Sequence, residues 1–211
     1  MFKAIHDFIN VNDIKKILLI EAMVLMYFFS SAQNVGVGTT NPSEKLEVAG
    51  NTKAANFIYS TPKTFFYTLS GINFIPEKSS DTTISGIGNG EITMQTNVAG
   101  KRIIAPVQLP DGATLINLKV YINDNSTTDD LRVTLYRKTI TGVFFADNYG
   151  SLVSSGSAGL ALYQTPISTT VVDNSLYTYY LSVGTEISTI PFPGNIYLRA
   201  VIIEYTKTTT Q

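Results

Sequence analysis

The 211-residue chain contains no cysteine and no tryptophan, and its single histidine is His6. The absence of cysteine excludes disulfides. Without cysteine and with a single histidine, the chain also lacks the usual ligands of a zinc site. A Ser-His or Cys-His catalytic pair is excluded for the same reason. We therefore predict that the protein is not an enzyme and that it uses no cofactor.

Charge is also scarce in this chain. The 15 basic and 16 acidic residues give a formal net charge of −1, and charged residues make up only 15% of the sequence. A near-neutral surface produces no long-range field that would attract nucleic acid or an anionic membrane. We therefore predict that nucleic acid is not a partner.

The N-terminus has the pattern of a secretory signal. Lys15 and Lys16 precede an apolar run over residues 17–29, and the small residues Ser30-Ser31-Ala32 follow it. These small residues suit a signal peptidase, so we predict cleavage after Ala32. The apolar run is also shorter than the roughly 20 residues that span a bilayer. This predicts a secreted or cell-surface protein with no stable membrane insertion after cleavage. An uncleaved N-terminal anchor is the alternative.

A short glycine-containing element follows the signal. Residues 34–50 read Asn-Val-Gly-Val-Gly-Thr-Thr-Asn-Pro-Ser-Glu-Lys-Leu-Glu-Val-Ala-Gly. The element resembles the VGIGTxxPxxKLxVxG segment of secreted bacterial and phage-tail-fibre-like proteins. That resemblance implies an extended stalk, trimeric in those proteins, that carries a separate head. It predicts a homotrimer with a signal peptide (1–32), a stalk-like segment (33–62) and a head (63–211).

The head shows apolar residues at the period of β-strands and no sustained helical period. Clear strands are predicted over residues 113–123, 131–137, 177–183 and 196–206, and weaker ones over residues 64–69, 91–96, 102–109 and 169–172. The turn-rich residues between the first two strands predict a hairpin with a long loop. About eight strands rich in Val, Ile, Thr and Tyr are typical of an antiparallel sandwich or barrel.

The alternation within these strands also assigns side chains to faces. One face of the 113–123 strand carries Ile116, Leu118, Val120 and Ile122. In the next strand Leu131, Val133 and Leu135 are predicted to point inward, with Arg132, Thr134 and Tyr136 outward. The Gly, Ser and Ala-rich residues 142–166 predict a long exposed loop with a short strand or two.

Several stretches of the head resemble a module of secreted bacterial proteins and tail-fibre tips. They are residues 105–114, 118–122, 130–137, 172–181 and 198–205. The resemblance implies a non-catalytic, jelly-roll-like sandwich. We therefore predict an all-β fold, an antiparallel β-sandwich of jelly-roll type behind the signal peptide and the stalk segment.

Aromatic residues occur in clusters at 65–67, 144–149 and 177–180. A ring face matches the C–H face of a pyranose, whereas packing in the core or in a trimer interface would explain the same rings without a ligand. Phe144, Phe145 and Tyr149 lie in or near the 142–166 loop and are the least explained by core packing. We predict these three as binding residues for a surface glycan.

Acidic residues offer a weaker candidate site. Asp124, Asp129 and Asp130 present hard oxygens of the kind that Ca²⁺ prefers. They lack the spaced ligand order of a dedicated calcium loop, so a solvated turn is the favoured interpretation and no metal is predicted. No spacing in the sequence places two carboxylates across a cleft, as glycoside hydrolysis requires.

Two functions follow from these observations. The main hypothesis is a secreted, non-catalytic structural or adhesion protein that displays a β-sandwich head on a short trimeric stalk. The alternative is a glycan-binding, lectin-like surface module. A hydrolase that uses only carboxylates is a distant third.

Overall fold

The computed structural model describes residues 11–28, 34–78, 84–85, 89–94, 98–142, 146–156, 159–167, 170–187 and 189–209. The chain divides into two compact units, residues 1–55 and 56–211. The second unit begins before the predicted boundary at residue 62, because its first strand starts at Ile58 and pairs there with the last strand of the chain.

The described residues of the first unit form one helix and one small sheet. Helix α1 covers Val11–Phe28, within the predicted signal peptide, and the predicted cleavage position lies outside the described residues. Among the described residues, no helix combines the length and apolarity needed to cross a membrane. The strands β1 (Val35–Val37) and β2 (Leu46–Val48) pair in parallel.

The predicted stalk segment therefore folds back on itself over residues 34–50 instead of remaining a single extended stretch. Gly38 has φ +76°, and a Cβ there would lie 3.0 Å from the carbonyl oxygen of Ala49. Within the return loop, the backbone N–H of Ser43 donates to Glu47 Oε2 at 2.7 Å and the Ser43 hydroxyl donates to the same oxygen at 2.9 Å. These two hydrogen bonds lower the pKa of Glu47.

The second unit is an antiparallel β-sandwich. A 3₁₀ turn, Gly71–Asn73, follows the first of its strands. The strands are β3 (Ile58–Ser70), β4 (Ile75–Pro76), β5 (Ile84–Ser85), β6 (Thr93–Met94), β7 (Arg102–Val107), β8 (Thr114–Asp124), β9 (Leu131–Thr139), β10 (Asp147–Val153), β11 (Gly159–Pro166), β12 (Tyr177–Thr185) and β13 (Ile196–Thr209).

Two sheets form the layers of the sandwich. One sheet has the order β10-β9-β12-β7-β4 and the other the order β11-β8-β13-β3, while β5 and β6 pair separately. Consecutive strands pass repeatedly from one sheet to the other, as in a jelly roll. The all-β, antiparallel sandwich class predicted from the sequence is confirmed.

The core lies between the inner faces of the two sheets. Leu131, Val133 and Leu135 of β9 are fully buried, as their alternation predicts. Leu181 and Val183 of β12 and Val201 and Ile203 of β13 close the core from neighbouring strands. Burying a side chain of this size contributes about 1.5–3 kcal/mol relative to leaving it exposed, so the alternating strands alone provide the main drive for folding.

Most predicted strands are present, but the predicted hairpin between residues 113–123 and 131–137 is wrong. Strand β8 lies between β11 and β13, whereas β9 lies between β10 and β12 in the opposite sheet. The loop between β8 and β9 therefore crosses the sandwich. The weak strand at 169–172 is also wrong, because among the described residues it amounts to a single bridge between Val171 and Thr114.

A β-bulge changes which residues of β8 face the core. The pairing of β13 with β8 shifts between Glu204 and Tyr205, so Leu115 is buried and Ile116 is only half-buried. Leu118, Val120 and Ile122 are buried, as predicted. An extra residue reverses the side-chain alternation on one side of a bulge, so the strict period of the sequence cannot hold through it.

The segment predicted as a long exposed loop contributes an edge strand to each sheet. Strand β10 pairs with β9, and β11 pairs with β8 along its whole length. The Gly and Ser-rich composition of residues 142–166 thus marks the turns between these strands, while the strands themselves are longer than the sequence predicts.

Candidate functional site

The outer face of the five-stranded sheet carries rows of side chains that the ladder pairing places side by side. Ser182 of β12 lies between Ile104 of β7 and Thr134 of β9, and Thr134 lies opposite Ser151 of β10. Neighbouring rows on either side hold a pair of tyrosines and a pair of arginines. We call this surface, formed by the outward residues of β7, β9, β10 and β12, the open face.

The first of these rows centres on Tyr136 and Tyr180. The two residues are direct cross-strand partners, and their rings stack with centroids 5.2 Å apart and planes 22° from parallel. Both side chains are half-buried. Such a stacked pair contributes about 0.5–1.5 kcal/mol to stability beyond the burial of its apolar surface. One face of each ring contacts the other ring, so each phenol supports its neighbour on the sheet.

The Tyr180 hydroxyl is held in its protonated form. Burial raises the pKa of Tyr180, the neighbouring Tyr136 and Glu77 raise it further, and Arg102 opposes them. A phenol that stays neutral can donate one hydrogen bond and accept others. The tyrosine pair therefore presents both apolar ring surface and a hydrogen-bond donor.

The second row forms a small hollow, open to solvent, next to the tyrosines. Its floor contains Thr134, Ser182 and Gly184, and Arg102 and Arg132 stand on opposite sides of it. Thr134 and Ser182 are nearly covered by the taller residues around them, and the Thr134 hydroxyl lies 3.0 Å from that of Ser151. The hollow therefore combines small hydroxyl groups with two long cationic side chains.

A separate cluster lies at the end of the sandwich where β9 meets β10. The guanidinium carbon of Arg137 lies 4.5 Å from the ring centre of Tyr149 and 3.8 Å from that of Tyr177, and Nη2 donates to Asp147 Oδ2 at 2.8 Å. Desolvation lowers the pKa of Arg137, but the hydrogen bond to Asp147 and electrostatic interactions with Tyr149, Tyr177 and Asp147 outweigh it, so that the pKa is raised overall. Arg137 thus joins strands β9, β10 and β12 at this end.

Of the three residues predicted to bind a glycan, the structure describes only Tyr149. Its ring packs against the core and against the Arg137 guanidinium, which leaves it half-buried. Phe144 and Phe145 lie outside the described residues. Ligand binding by these three residues therefore remains a prediction from the sequence.

The weak calcium candidate is a hydrogen-bonded turn. Asp124 Oδ1 accepts from the backbone N–H of Ser126 at 3.0 Å, while Asp129 Oδ2 accepts from the hydroxyls of Ser126 and Thr128. Asp130 instead accepts from the Ser154 hydroxyl. Across the part of the chain that the structure describes, no group of three or more His, Cys, Asp or Glu residues is arranged to hold a metal ion.

The outer face of the four-stranded sheet differs from the open face. Phe66 is exposed there, but the Lys119 ammonium lies over its ring at 5.6 Å. Lys119 also pairs with Glu204 at 2.6 Å, and Asn117 donates to the same carboxylate oxygen at 3.0 Å. The polar groups of Lys119, Glu204 and Asn117 therefore satisfy one another beside the ring of Phe66.

The open face contains residues that the sequence analysis named without assigning to a site. The alternation in β9 predicted Arg132, Thr134 and Tyr136 to point outward, and the structure confirms this. The cross-strand contact between Tyr136 and Tyr180 carries no sequence signal, because these residues are far apart in the chain and only the β9–β12 register joins them.

The sequence matches no protein family model and no curated protein. Among solved structures it is similar to a family 6 carbohydrate-binding module, with 12% identity, a TM-score of 0.42, and coverage of 65% of this chain and 92% of that one. It is also similar to the C-terminal CBM6 of LamC from Zobellia galactanivorans, with 12% identity, a TM-score of 0.43, and coverage of 66% of this chain and 98% of that one. A third similar structure is a xylan-binding module, CBM15, with 10% identity, a TM-score of 0.44, and coverage of 71% of this chain and 99% of that one. At these identities and TM-scores, a ligand does not carry over from those proteins to this chain.

Proposed function

We propose that the protein is a secreted, non-catalytic glycan-binding module that holds polysaccharide on the open face of its five-stranded sheet. The observation that carries this proposal is the stacked Tyr136–Tyr180 pair beside a hollow floored by hydroxyl groups. Sugars present apolar C–H faces and many hydroxyls, so they need ring surface and hydrogen-bonding groups close together. The open face provides both on a rigid sheet.

The rigidity of the sheet favours binding. Tyr136 and Tyr180 stand on strands that pair with another strand on each side. Their neighbours along these strands, Leu135 and Leu181, point inward and are fully buried. Side chains on such strands lose little further freedom when a ligand binds, so less of the interaction energy is spent on ordering the site.

The test is a glycan array followed by titration of the best ligand against the full chain. We expect Tyr136→Ala with Tyr180→Ala to weaken binding about tenfold or more, since each 1.4 kcal/mol lost corresponds to a factor of ten. Tyr121→Ala is the matched control, because Tyr121 points outward from β8 on the opposite sheet. Tyr149→Ala tests the site predicted from the sequence in the same assay.

An array without any bound glycan would refute the proposal. Binding that survives the double tyrosine substitution but is lost in Tyr149→Ala would move the site to the Arg137 end of the sandwich. In both cases the variants should first show a cooperative unfolding transition well above the assay conditions, so that a loss of binding is not a loss of fold.

A second candidate function, display of the head in a trimeric adhesion protein, is favoured by the first unit. Val35 and Val37 of β1 and Leu46 of β2 are 56%, 53% and 64% exposed in a sheet of only two short strands. Apolar side chains grouped in this way favour association with other copies. Sedimentation of the full chain tests this: a trimer that Val35→Ser and Leu46→Ser dissociate would support it, and a monomeric wild type would refute it.

A further inference from the structure

Two arginines stand on the open face in a single row with one glycine between them. Gly184 of β12 pairs with Arg102 of β7 on one side and with Arg132 of β9 on the other. Two strand spacings of about 4.8 Å separate the arginine backbones by about 10 Å. The inward neighbours Ile103, Leu131 and Val133 are fully buried, so both arginines point away from the core.

Gly184 keeps the space between the two arginines open. A Cβ at this position would lie 3.2 Å from Arg102 Cγ and 3.8 Å from Arg102 Nε. The aliphatic stem of Arg102 therefore lies against the bare backbone of Gly184. Any larger residue would push this side chain out of the row and fill the floor of the hollow.

Neither arginine is strongly neutralised within the protein. Arg102 forms no ion pair with a carboxylate in the described part of the chain. Arg132 meets Glu186 at 3.4 Å, with both side chains more than 40% exposed. Such surface pairs contribute about 0–1 kcal/mol, so Glu186 can release Arg132 to a ligand at little cost. Glu77 is a further carboxylate close to this row: its backbone N–H donates to the carbonyl oxygen of Arg102 at 2.9 Å, and its charge acts on Tyr180.

The distance between the arginine row and the tyrosine row suits an extended chain of sugars. Tyr136 lies four residues along β9 from Arg132, and Tyr180 lies four residues along β12 from Gly184, which is about 13 Å at the strand rise of 3.3–3.4 Å per residue. Thr134 and Ser182 supply hydroxyls between the two rows. A polysaccharide that stacks on the tyrosines would thus extend over the floor to the guanidinium groups.

We propose that the ligand of the open face is an acidic polysaccharide, whose carboxylate or sulfate groups bind Arg102 and Arg132 while a neighbouring sugar contacts Tyr136 and Tyr180. This inference rests on the proposed function. A guanidinium presents a planar fork of donors that matches a carboxylate or a sulfate with two parallel hydrogen bonds. Neutral sugar hydroxyls can accept hydrogen bonds from these guanidinium groups, but only a repeating anionic polymer also gains from their two positive charges.

The test compares matched polysaccharides that differ only in charge. Polygalacturonate is titrated against the full chain beside its methyl ester, and a sulfated galactan beside its desulfated form, at about 0.05 M and about 0.5 M NaCl, where screening differs several-fold. We expect the acidic member of one pair to bind about tenfold more tightly at low salt, with most of that advantage lost at high salt. A difference within the polygalacturonate pair would identify carboxylate as the bound group, and a difference within the galactan pair would identify sulfate.

The variants separate the charge from the stacking. Arg102→Gln with Arg132→Gln should abolish the preference for the acidic polymer and preserve binding of the neutral one. Arg199→Gln is the control, because Arg199 is a comparably exposed arginine on the four-stranded sheet. Tyr136→Ala with Tyr180→Ala should weaken binding of both polymers.

The possible failures are distinguishable. Equal affinity for the charged and neutral members of both pairs, or an acidic preference that survives the double arginine substitution, would overturn the inference and leave the proposed function standing. Failure to bind any polysaccharide would overturn both. Tighter binding of single-stranded nucleic acid than of either acidic polymer would also overturn the inference, because the arginines would then serve a different class of ligand.

Discussion

Replacing Arg137 by methionine tests how much one cationic side chain contributes to the fold. Methionine keeps an unbranched apolar stem of similar length but removes the guanidinium that contacts the rings of Tyr149 and Tyr177. The Arg137 side chain is only 19% exposed. At such a site each ring contact is worth about 1 kcal/mol, within a range of about 0.5 to 2.

The ion pair adds less than the rings. Asp147 is 61% exposed, so its bond to Arg137 contributes about 0.2–1 kcal/mol. We expect Arg137→Met to lower the free energy of unfolding by about 2 kcal/mol, with the larger part from the rings. At about 2–4 °C per kcal/mol for a domain of this size, the melting temperature should fall by about 4–8 °C.

Urea unfolding followed by circular dichroism measures this change, and an unaltered m-value confirms that the compactness of the two states is the same. Arg137→Lys should lose about half as much, because an ammonium keeps the charge but has no planar group to stack on a ring. Arg199→Met is the matched control, since Arg199 has only a 3.9 Å pair with Glu91 and should change stability by less than about 0.5 kcal/mol. If Arg137→Met unfolded at the wild-type midpoint, the reasoning would be refuted.

Two further predictions concern positions where the structure leaves little freedom. Gly71 is buried, and a Cβ there would collide with the carbonyl oxygen of Leu198 and lie 3.0 Å from the carbonyl oxygen of Gly90. We therefore expect Gly71→Ala to destabilise the fold by about 1–3 kcal/mol. An unchanged urea midpoint would contradict this prediction. Hydrogen bonds from Lys119 and Asn117 lower the pKa of Glu204. The stability that this carboxylate contributes is therefore present above its unfolded value of 4.5 and is lost as the pH falls through the folded value. Urea midpoints of wild type and Glu204→Gln should differ near pH 7 and converge toward pH 3, and a constant difference would contradict this reasoning.

Features that depend on neighbours along one strand were predictable from the sequence. Leu131, Val133 and Leu135 are buried and Tyr136 points outward because successive side chains of a strand alternate between its two faces. The same local rule fails in β8 at the bulge that buries Leu115 in place of Ile116. The bulge arises from the pairing of β8 with β13, and that partner lies too far along the chain to leave a local signal.

The sequence by itself determined the class of fold, the absence of cysteine and of cysteine-based chemistry, and the inward and outward residues of each regular strand. These follow from composition and from the two-residue period of a β-strand. Only the tertiary structure decided which strands are neighbours: it separated β8 from β9, joined Tyr136 to Tyr180 and placed Gly184 between Arg102 and Arg132. The candidate site is a set of cross-strand pairs within one sheet, and such pairs come together only when strands distant in the sequence pair in a defined register.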